Sequence, residues 1–573
     1  MVEVTTQDAQ DLLPSSPATT TADVEAPAEK TDRRRFCVSL SVGAAVILVP
    51  YLWVLTDLWN RGPSLFRTVV SDHRLSNFYD LQGRALLAGH LYLPKGALGE
   101  EAFNHDGHQY MYFGFFPALL RLPVLLVSHA LDGKMTAISI LVAWIVTAVA
   151  SAAILWHCRV TLRGPSGLGI AEAATYAILF TAILGGSALV NLAANPWVYS
   201  EDIAWSVALS LCSAIAMIAV LDRPSWARVT ALFLAVLALS LTRGTEGVAW
   251  SVATIAAGGW LAWRRSDVDS RNWWLPTMVA GVIPLLSYLA ISWMKFGSFN
   301  GYPLQDQVWY RTHNVAWINH GHYFSVAYLP TGLSTYFGSL GVHFSKVFPF
   351  FTLPQYAVQG ADHTMIFGSE QVTSISGSMP LLLLLTLAGL FAMLRPSSPR
   401  ALRLLLIPFV AAALPAGALL VFGFLDNRFV GDFVPLLVIG SAAGLAIVWQ
   451  YVGTRGAAVR RLTVTGIAVL CVYSVAVNFG MSAVPNGWWP REQTAAFVRA
   501  QERVASIVGA PVSSVVVHRN SLPEQGPVGQ IVILGRCNNV FFRPSTGLQP
   551  WVPIGRHATA HGVSCRSLTG PSG

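Results

Sequence analysis

The run RRRFCVSLSVGAAVILVPYLWVLTDL, from Arg33 to Leu58, decides the fold of this chain. Three arginines precede an apolar stretch that carries no charge before Asp57. A helix needs about 20 apolar residues to cross the hydrocarbon core of a bilayer. Because the stretch is longer than a signal-peptide core and lacks a cleavage site of small residues, we expect an uncleaved first span at 36–58. The arginines place the N-terminus in the cytoplasm.

The composition of the whole chain agrees with a membrane protein. Its 573 residues are 53% apolar and only 12% charged, and the mean hydropathy is +0.51. Soluble domains carry about 25% charged residues, so a soluble enzyme is excluded. The net charge of +8 comes from basic pairs and triplets between apolar runs, whereas a nucleic-acid binder gathers them on one surface.

Short basic loops predict how the chain threads the membrane, because such loops stay in the cytoplasm. Residues 1–35 are rich in Thr, Ala, Pro and acids, and we expect a disordered cytoplasmic tail. Residues 36–481 should form an all-α polytopic domain with about eleven spans, which puts the C-terminus outside the cell. The predicted spans are 36–58, 136–158, 170–192, 202–221, 229–242, 246–263, 273–293, 379–394, 402–424, 429–450 and 461–481.

Two large loops, 59–135 and 294–378, should lie outside. The first contains an apolar segment, 112–130, which is interrupted by Pro117 and Arg121. Counting this segment as a span would move every later arginine loop to the outside, so we expect a helix in the outer interface.

Residues 482–573 contain short β-like runs between turns and predict a small extracytoplasmic β-rich domain. Cys537 and Cys565 fall in this region. An oxidising compartment permits a disulfide between them, and two separate reduced thiols are the alternative.

No nucleotide-binding or zinc-protease motif occurs in the sequence. A secondary transporter, a lipid-sugar enzyme and a scaffold remain. Transporters keep ionisable residues near the bilayer midplane, whereas here acids, histidines and aromatics follow the first span. They lie in SDHRLSNFYDLQGRALLAGHLYLP (Ser71–Pro94) and DGHQYMYFGFFP (Asp106–Pro117).

Tyr79-Asp80, followed by RALLAG from Arg84 to Gly89, resembles the catalytic-acid loop of the GT-C superfamily of membrane glycosyltransferases. The segment Tyr112–Leu120 resembles the Pro-containing interfacial helix of that superfamily. KFGS (Lys295–Ser298) with Gly301-Tyr302, and NRF (Asn427–Phe429) with Asp432-Phe433, are similar to motifs of bacterial cell-envelope members. The resemblance covers about residues 36–480.

This resemblance implies a plasma-membrane enzyme that moves sugar from a polyprenyl-phosphate donor to an extracytoplasmic glycan, glycolipid or protein. Many relatives carry an acidic pair about four residues before the equivalent of Tyr79, where this chain has Leu75-Ser76. The nearest acids, Asp72 and Asp80, are therefore the candidate catalytic bases. Tyr79 and Trp551 are candidates for contact with the acceptor.

An inverting transfer needs a base for the acceptor hydroxyl and cations near the departing phosphate. Arg243, Lys295 and Arg428 lie near predicted outer ends of spans and are the candidate phosphate ligands.

Each candidate also has a structural alternative. Asp80 could cap its helix or pair with Arg84 at i+4, Arg243 could pair with Glu246, and Arg428 could anchor a span at the lipid headgroups. For the loop histidines, the two alternatives are that they bind a divalent cation and that they are solvated. The alternative function is a non-enzymatic lipid-linked oligosaccharide transporter or a cell-envelope scaffold. The histidines are His73, His90, His105 and His108.

Overall fold

The computed structural model describes residues 27–56, 77–263, 272–312, 322–338, 342–344, 348–352, 368–369, 372–483, 500, 503–504, 506–508, 515–519, 531–534, 539–542 and 552–553. The helices are α1 (Pro27–Thr56), α2 (Phe78–Leu87), α3 (Phe116–Val127), α4 (Thr136–Arg163), α5 (Ile170–Gly185), α6 (Leu189–Ala194), α7 (Val198–Asp222), α8 (Trp226–Ser240), α9 (Gly244–Trp263), α10 (Trp274–Phe296), α11 (Val308–Thr312), α12 (Leu329–Phe337), α13 (Ile375–Ser378), α14 (Pro380–Leu394), α15 (Arg400–Leu404), α16 (Leu406–Leu419), α17 (Val434–Val452) and α18 (Ala457–Ser482). Single 3₁₀ segments occur at Gly99–Glu101, Leu304–Asp306, Val326–Tyr328 and Asn427–Phe433.

Short strands accompany the helices. A hairpin of β1 (Phe103–His105) and β2 (His108–Tyr110) lies between α2 and α3. Two small pairs follow, β3 (His343–Phe344) with β4 (Phe351–Thr352) and β5 (Gly368–Ser369) with β6 (Phe424–Leu425). Near the C-terminus, β7 (Val515–Arg519), β8 (Ile531–Leu534), β9 (Asn539–Phe542) and β10 (Val552–Pro553) form one sheet in the order β10-β9-β8-β7.

Each of the eleven predicted spans coincides with a helix. Within the described ranges, seven helices are long and apolar enough to cross a membrane. The other four, α5, α8, α9 and α14, have between 15 and 20 residues. The polytopic all-α architecture is therefore observed, and the exact number of crossings stays a prediction. The seven are Glu29–Thr56, Thr136–Arg163, Val198–Asp222, Trp274–Phe296, Arg400–Leu419, Asn427–Val452 and Ala457–Ser482.

Contacts sort the helix ends into two groups. At one end, which we call the arginine-rich end, the Leu168 amide donates to Asp32 over 3.0 Å, and Arg163 bonds Glu172 and the carbonyl of Trp449. At the other end, the loop-rich end, the Gly114 amide donates to the Thr242 carbonyl over 2.9 Å. These groups agree with the alternation that the basic loops predict.

The N-terminal boundary of the membrane domain differs from the prediction. Helix α1 begins at Pro27, so residues 27–35 are helical rather than part of a disordered tail. The reason is docking: Asp32 is buried and accepts the Leu168 amide, and Arg35 pairs with Asp32 and donates to the Leu168 carbonyl. Residues 1–26 lie outside the described residues.

The segment predicted to lie in the interface forms α3, a helix of 12 residues. At 1.5 Å per residue it extends about 18 Å, too short for a hydrocarbon core of about 30 Å. The Phe116 amide at its start donates to the Leu241 carbonyl over 2.8 Å, which fixes α3 against the turn between α8 and α9.

The β-like runs predicted in the C-terminal region coincide with β7, β8 and β9. β7 and β8 are parallel, and β8 and β9 are antiparallel. Most of residues 482–573, including Cys537, Trp551 and Cys565, lies outside the described residues. A separate β-rich domain, its disulfide and its side of the membrane therefore stay predictions.

Gly114 is required where α3 docks on the turn between α8 and α9. A Cβ at this position would lie 2.0 Å from the Leu241 carbonyl oxygen, and both groups are backbone. We expect Gly114→Ala to lower the free energy of unfolding by about 1–3 kcal/mol, the usual cost of overpacking.

The matched control is Gly259→Ala, because that glycine has nothing within 4 Å of its Cβ position. Ala favours a helix over Gly by about 1 kcal/mol, so the control should be neutral or more stable. Thermal unfolding of the purified variants in detergent measures both, and equal stability of the two variants would disprove the packing argument.

Candidate active site

Helix α2 presents two consecutive polar residues, Tyr79 and Asp80, to the interior of the loop-rich end. Both are buried, and the helix packs so closely on α3 that a Cβ on Gly83 would lie 2.4 Å from Leu125. Successive residues of a helix point about 100° apart. Tyr79 and Asp80 therefore reach different neighbours.

Asp80 forms an ion pair with Arg121 of α3. The Arg121 Nη1 to Asp80 Oδ1 distance is 2.6 Å, and the Gly133 amide donates to Asp80 Oδ2 over 2.5 Å. Burial raises the pKa of Asp80, although Arg121 acts in the opposite direction. With both oxygens engaged and 2% exposure, Asp80 serves here as an ion-pair partner.

Arg121 also bonds Glu201 in the first turn of α7. Its Nη2 lies 2.5 Å from Glu201 Oε1, and Glu201 is fully buried. One guanidinium thus joins α2, α3 and α7 at the loop-rich end.

Arg84, the i+4 residue that was the alternative partner of Asp80, pairs with Asp132 instead. Its Nη2 lies 2.9 Å from Asp132 Oδ1, and it donates to the carbonyls of Leu125 and Ser128. The alternative of an Asp80–Arg84 pair is wrong, because the buried Arg121 occupies Asp80.

Tyr79 contacts a second group of charged residues, which consists of Asp202, Arg243, Glu246 and Asp432. Its hydroxyl donates to Asp202 over 3.3 Å, and burial raises the pKa of Tyr79 well above its ordinary value. Arg243 contacts Asp202 at 3.6 Å and binds both oxygens of Asp432, at 2.6 and 2.9 Å. Glu246 lies 3.4 Å from the same guanidinium. The ion pair offered as the alternative role of Arg243 is present.

Lys295, near the end of α10, is 2% exposed. Its Nζ donates to the carbonyls of Met111 and Phe113, each over 2.9 Å. The ammonium therefore holds the segment that leads from the β-hairpin into α3.

Arg428 is partly exposed and lies against the rings of Tyr199 and Phe429. Its guanidinium stacks 4.1 Å above the Tyr199 ring and pairs with Asp426 at 2.9 Å. Glu101 is close enough to Tyr199 and Arg428 for both to lower its pKa. The rings of Tyr112 and Tyr302, 4.8 Å apart, lie nearby. We call Glu101, Tyr112, Tyr199, Tyr302 and Arg428 the aromatic cleft.

The loop histidines pack on aromatic rings and acids. His90 stacks on Tyr92 at 4.0 Å, and Tyr92 stacks on His108 at 4.2 Å. His105 lies 3.8 Å from Asp306. No group of three or more His, Cys, Asp or Glu with the arrangement of a metal site occurs in the part of the chain that the structure describes.

The candidates from the sequence thus separate into three places. Tyr79, Asp80 and Arg243 belong to the buried charge layers, Lys295 holds backbone, and Arg428 faces the cleft. Asp72, His73 and Trp551 lie outside the described residues. Sequence reasoning missed Glu101, Tyr199, Glu201, Asp202 and Asp432 as site residues. For Glu201, Asp202 and Asp432, the available signal was a carboxylate at the start of an apolar span.

No family model and no curated protein matches this chain. Solved structures of an oligosaccharyltransferase from Archaeoglobus fulgidus do match. The apo form has 12% identity and a TM-score of 0.42, covering 79% of this chain and 56% of that one. The complex with an inhibitory peptide and a dolichol-phosphate has 13% identity and a TM-score of 0.39, covering 76% and 55%.

This chain spans little more than half the length of those archaeal proteins.

The central position of Arg121 can be tested by stability. Arg121→Gln leaves Asp80 and Glu201 buried without their shared cation, and removing one partner of a buried ion pair costs about 3–5 kcal/mol. We therefore expect a large loss in the free energy of unfolding, measured by thermal unfolding in detergent.

Arg84→Gln is the matched control, because its partner Asp132 is partly exposed and exposed pairs contribute at most about 1 kcal/mol. If the two variants lose stability equally, Arg121 does not hold the site together.

Proposed function

We propose that this chain is a membrane glycosyltransferase of the GT-C type. It moves a sugar from a polyprenyl-phosphate donor to a hydroxyl of an extracytoplasmic glycan, glycolipid or protein. The observation that carries the proposal is the aromatic cleft, which combines a cation, a carboxylate and several tyrosine rings at the ends of apolar helices. A lipid-linked phosphate sugar needs those features together.

The phosphate would bind at Arg428. Asp426 pairs with its Nη2, and the Arg428 side chain remains 16% exposed. Charge-assisted hydrogen bonds from an arginine to phosphate oxygens are the strong kind. Arg243 is a weaker candidate because three carboxylates already surround it, and Lys295 is committed to backbone carbonyls.

The sugar would lie against the tyrosine rings. Aromatic faces take apolar contact from sugar C–H groups, while phenol hydroxyls remain for hydrogen bonds. Tyr112, Tyr199 and Tyr302 each keep part of their surface exposed. Tyr79, the acceptor candidate from the sequence, is buried, and its hydroxyl donates to Asp202.

Asp80 and Asp72 are the bases that the superfamily resemblance implies. We assign Asp80 a positioning role, because Arg121 and Gly133 occupy both of its oxygens. A non-enzymatic lipid-linked oligosaccharide transporter or scaffold is the competing function. Such a protein would form no product from any donor.

The direct experiment uses the purified full chain in nanodiscs with labelled polyprenyl-monophosphate sugars and cell-envelope glycan acceptors. Product from any donor excludes the scaffold, and no product from the whole panel overturns the proposal. Within this assay, Arg428→Gln should raise the donor KM by about 10-fold to 100-fold, since a hydrogen bond to a charged group contributes about 1.5–3 kcal/mol.

Arg311→Gln is the control for Arg428. Arg311 is a cation at the same end of the molecule, 58% exposed and paired with Asp306. An equal rise of the donor KM in both variants would reduce Arg428 to a general electrostatic contribution.

We also propose that the loop-rich end faces the outside of the plasma membrane and that the N-terminus is cytoplasmic. The arginines concentrate at the opposite end, as the positive-inside rule requires. In a cysteine-free background, Asn300→Cys should react with an impermeant maleimide added to intact cells, and Ser397→Cys should react only after permeabilisation. Reversed labelling would invert the topology.

A further inference from the structure

Glu101 ends the 3₁₀ segment Gly99–Glu101 and is held on both sides. The next residue, Ala102, accepts the Val308 amide through its carbonyl over 2.9 Å. Gln307 donates from its side chain to Glu101 Oε2 over 3.4 Å. The backbone around Glu101 is therefore fixed to the segment that leads into α11, and the carboxylate has a defined position.

The surroundings of Glu101 differ from those of the five acids that form the ion-pair layers at this end. Asp80, Glu201, Asp202, Glu246 and Asp432 are each at most 5% exposed and lie within the two arginine-centred ion-pair layers. Glu101 is partly exposed instead and faces the aromatic cleft. It can therefore reach a molecule that enters from solvent or from the membrane surface.

The chemistry of the cleft favours a base at this position. Burial among the rings raises the pKa of Glu101, which makes the carboxylate a better proton acceptor than a free glutamate. The Tyr199 hydroxyl and the nearby positive charge of Arg428 counteract that rise. The Arg428 guanidinium lies 4.1 Å from the centre of the Tyr199 ring, so Tyr199 adjoins both charged groups.

We propose that Glu101 is the general base of the transfer, an inference that rests on the proposed function. The Glu101 carboxylate takes the proton of the acceptor hydroxyl while the hydroxyl oxygen bonds to the anomeric carbon. The bond between that carbon and the phosphate oxygen breaks, and its electron pair leaves on the lipid phosphate beside Arg428. The products are the glycoside, the lipid phosphate and a protonated Glu101, which returns its proton to water.

Glu101→Gln tests this assignment, because glutamine keeps the size and the hydrogen bonds while removing the basic oxygen. General-base catalysis contributes about 10²–10⁴-fold. We expect kcat to fall by at least about 100-fold, while the KM for the polyprenyl-phosphate sugar and the thermal unfolding midpoint stay close to those of the wild type.

Glu100→Gln is the matched control, since it is the same chemical change on the neighbouring, exposed residue and should leave the rate unchanged. If Glu101→Gln fails to fold, Glu101→Asp provides the second variant. Glu101→Asp retains a carboxylate and should keep measurable turnover. The double variant Glu101→Asp, Tyr199→Phe should lose part of that turnover.

The outcomes separate this proposal from the proposed function. An active wild type together with Glu101→Gln at more than a third of its kcat overturns the role of Glu101 alone. In that case loss of activity in Asp72→Asn or Asp80→Asn, with folding intact, would assign the base to that aspartate instead. A wild type that uses no donor overturns both.

Discussion

The guanidinium of Arg121 is the interaction on which the candidate site depends. Removing a charge from water costs several kcal/mol even after relaxation, and Arg121 is only 4% exposed. That cost is offset because Asp80 and Glu201 meet it from two other helices. The Gly133 amide, which donates to Asp80, also connects the segment just before α4 to this group. Helices α2, α3 and α7 therefore cannot separate without leaving a buried charge unpaired.

This constraint also bears on which cation would bind the phosphate in the proposed transfer. Tyr79 and Asp202 directly adjoin Asp80 and Glu201 in sequence, so fixing the first pair on Arg121 places the second pair in the layer around Arg243. There, three carboxylates face one guanidinium. In a low-dielectric interior that excess of negative charge repels an anion strongly. Arg428 stacks on the Tyr199 ring and pairs with one carboxylate, Asp426, so fewer negative charges surround it than surround Arg243.

The sequence predicted the helices well, because uncharged runs near the length of a bilayer core are a local property. It could not predict the partners of the charged residues. Arg121 bonds residues 41 and 80 positions away, and Arg243 bonds one that is 189 positions away. Local spacing favoured Arg84 as the partner of Asp80, but α2 is packed on α3 and its interior face meets Arg121 instead. The same reasoning explains residues 27–35, which are ordered by a loop that follows about 130 residues later.

Lys295 has a different role from the arginines, because it binds backbone carbonyls. It lies at the end of a span, where a phosphate ligand is expected, yet its ammonium binds the carbonyls of Met111 and Phe113. Those two residues are buried, whereas Tyr112 between them is partly exposed. Lys295 therefore fixes the backbone on both sides of Tyr112, whose ring packs on the Phe113 ring with the centroids 3.9 Å apart. Lys295 thus affects the cleft through the backbone. Of the four cations Arg121, Arg243, Lys295 and Arg428, only Arg428 belongs to the cleft itself.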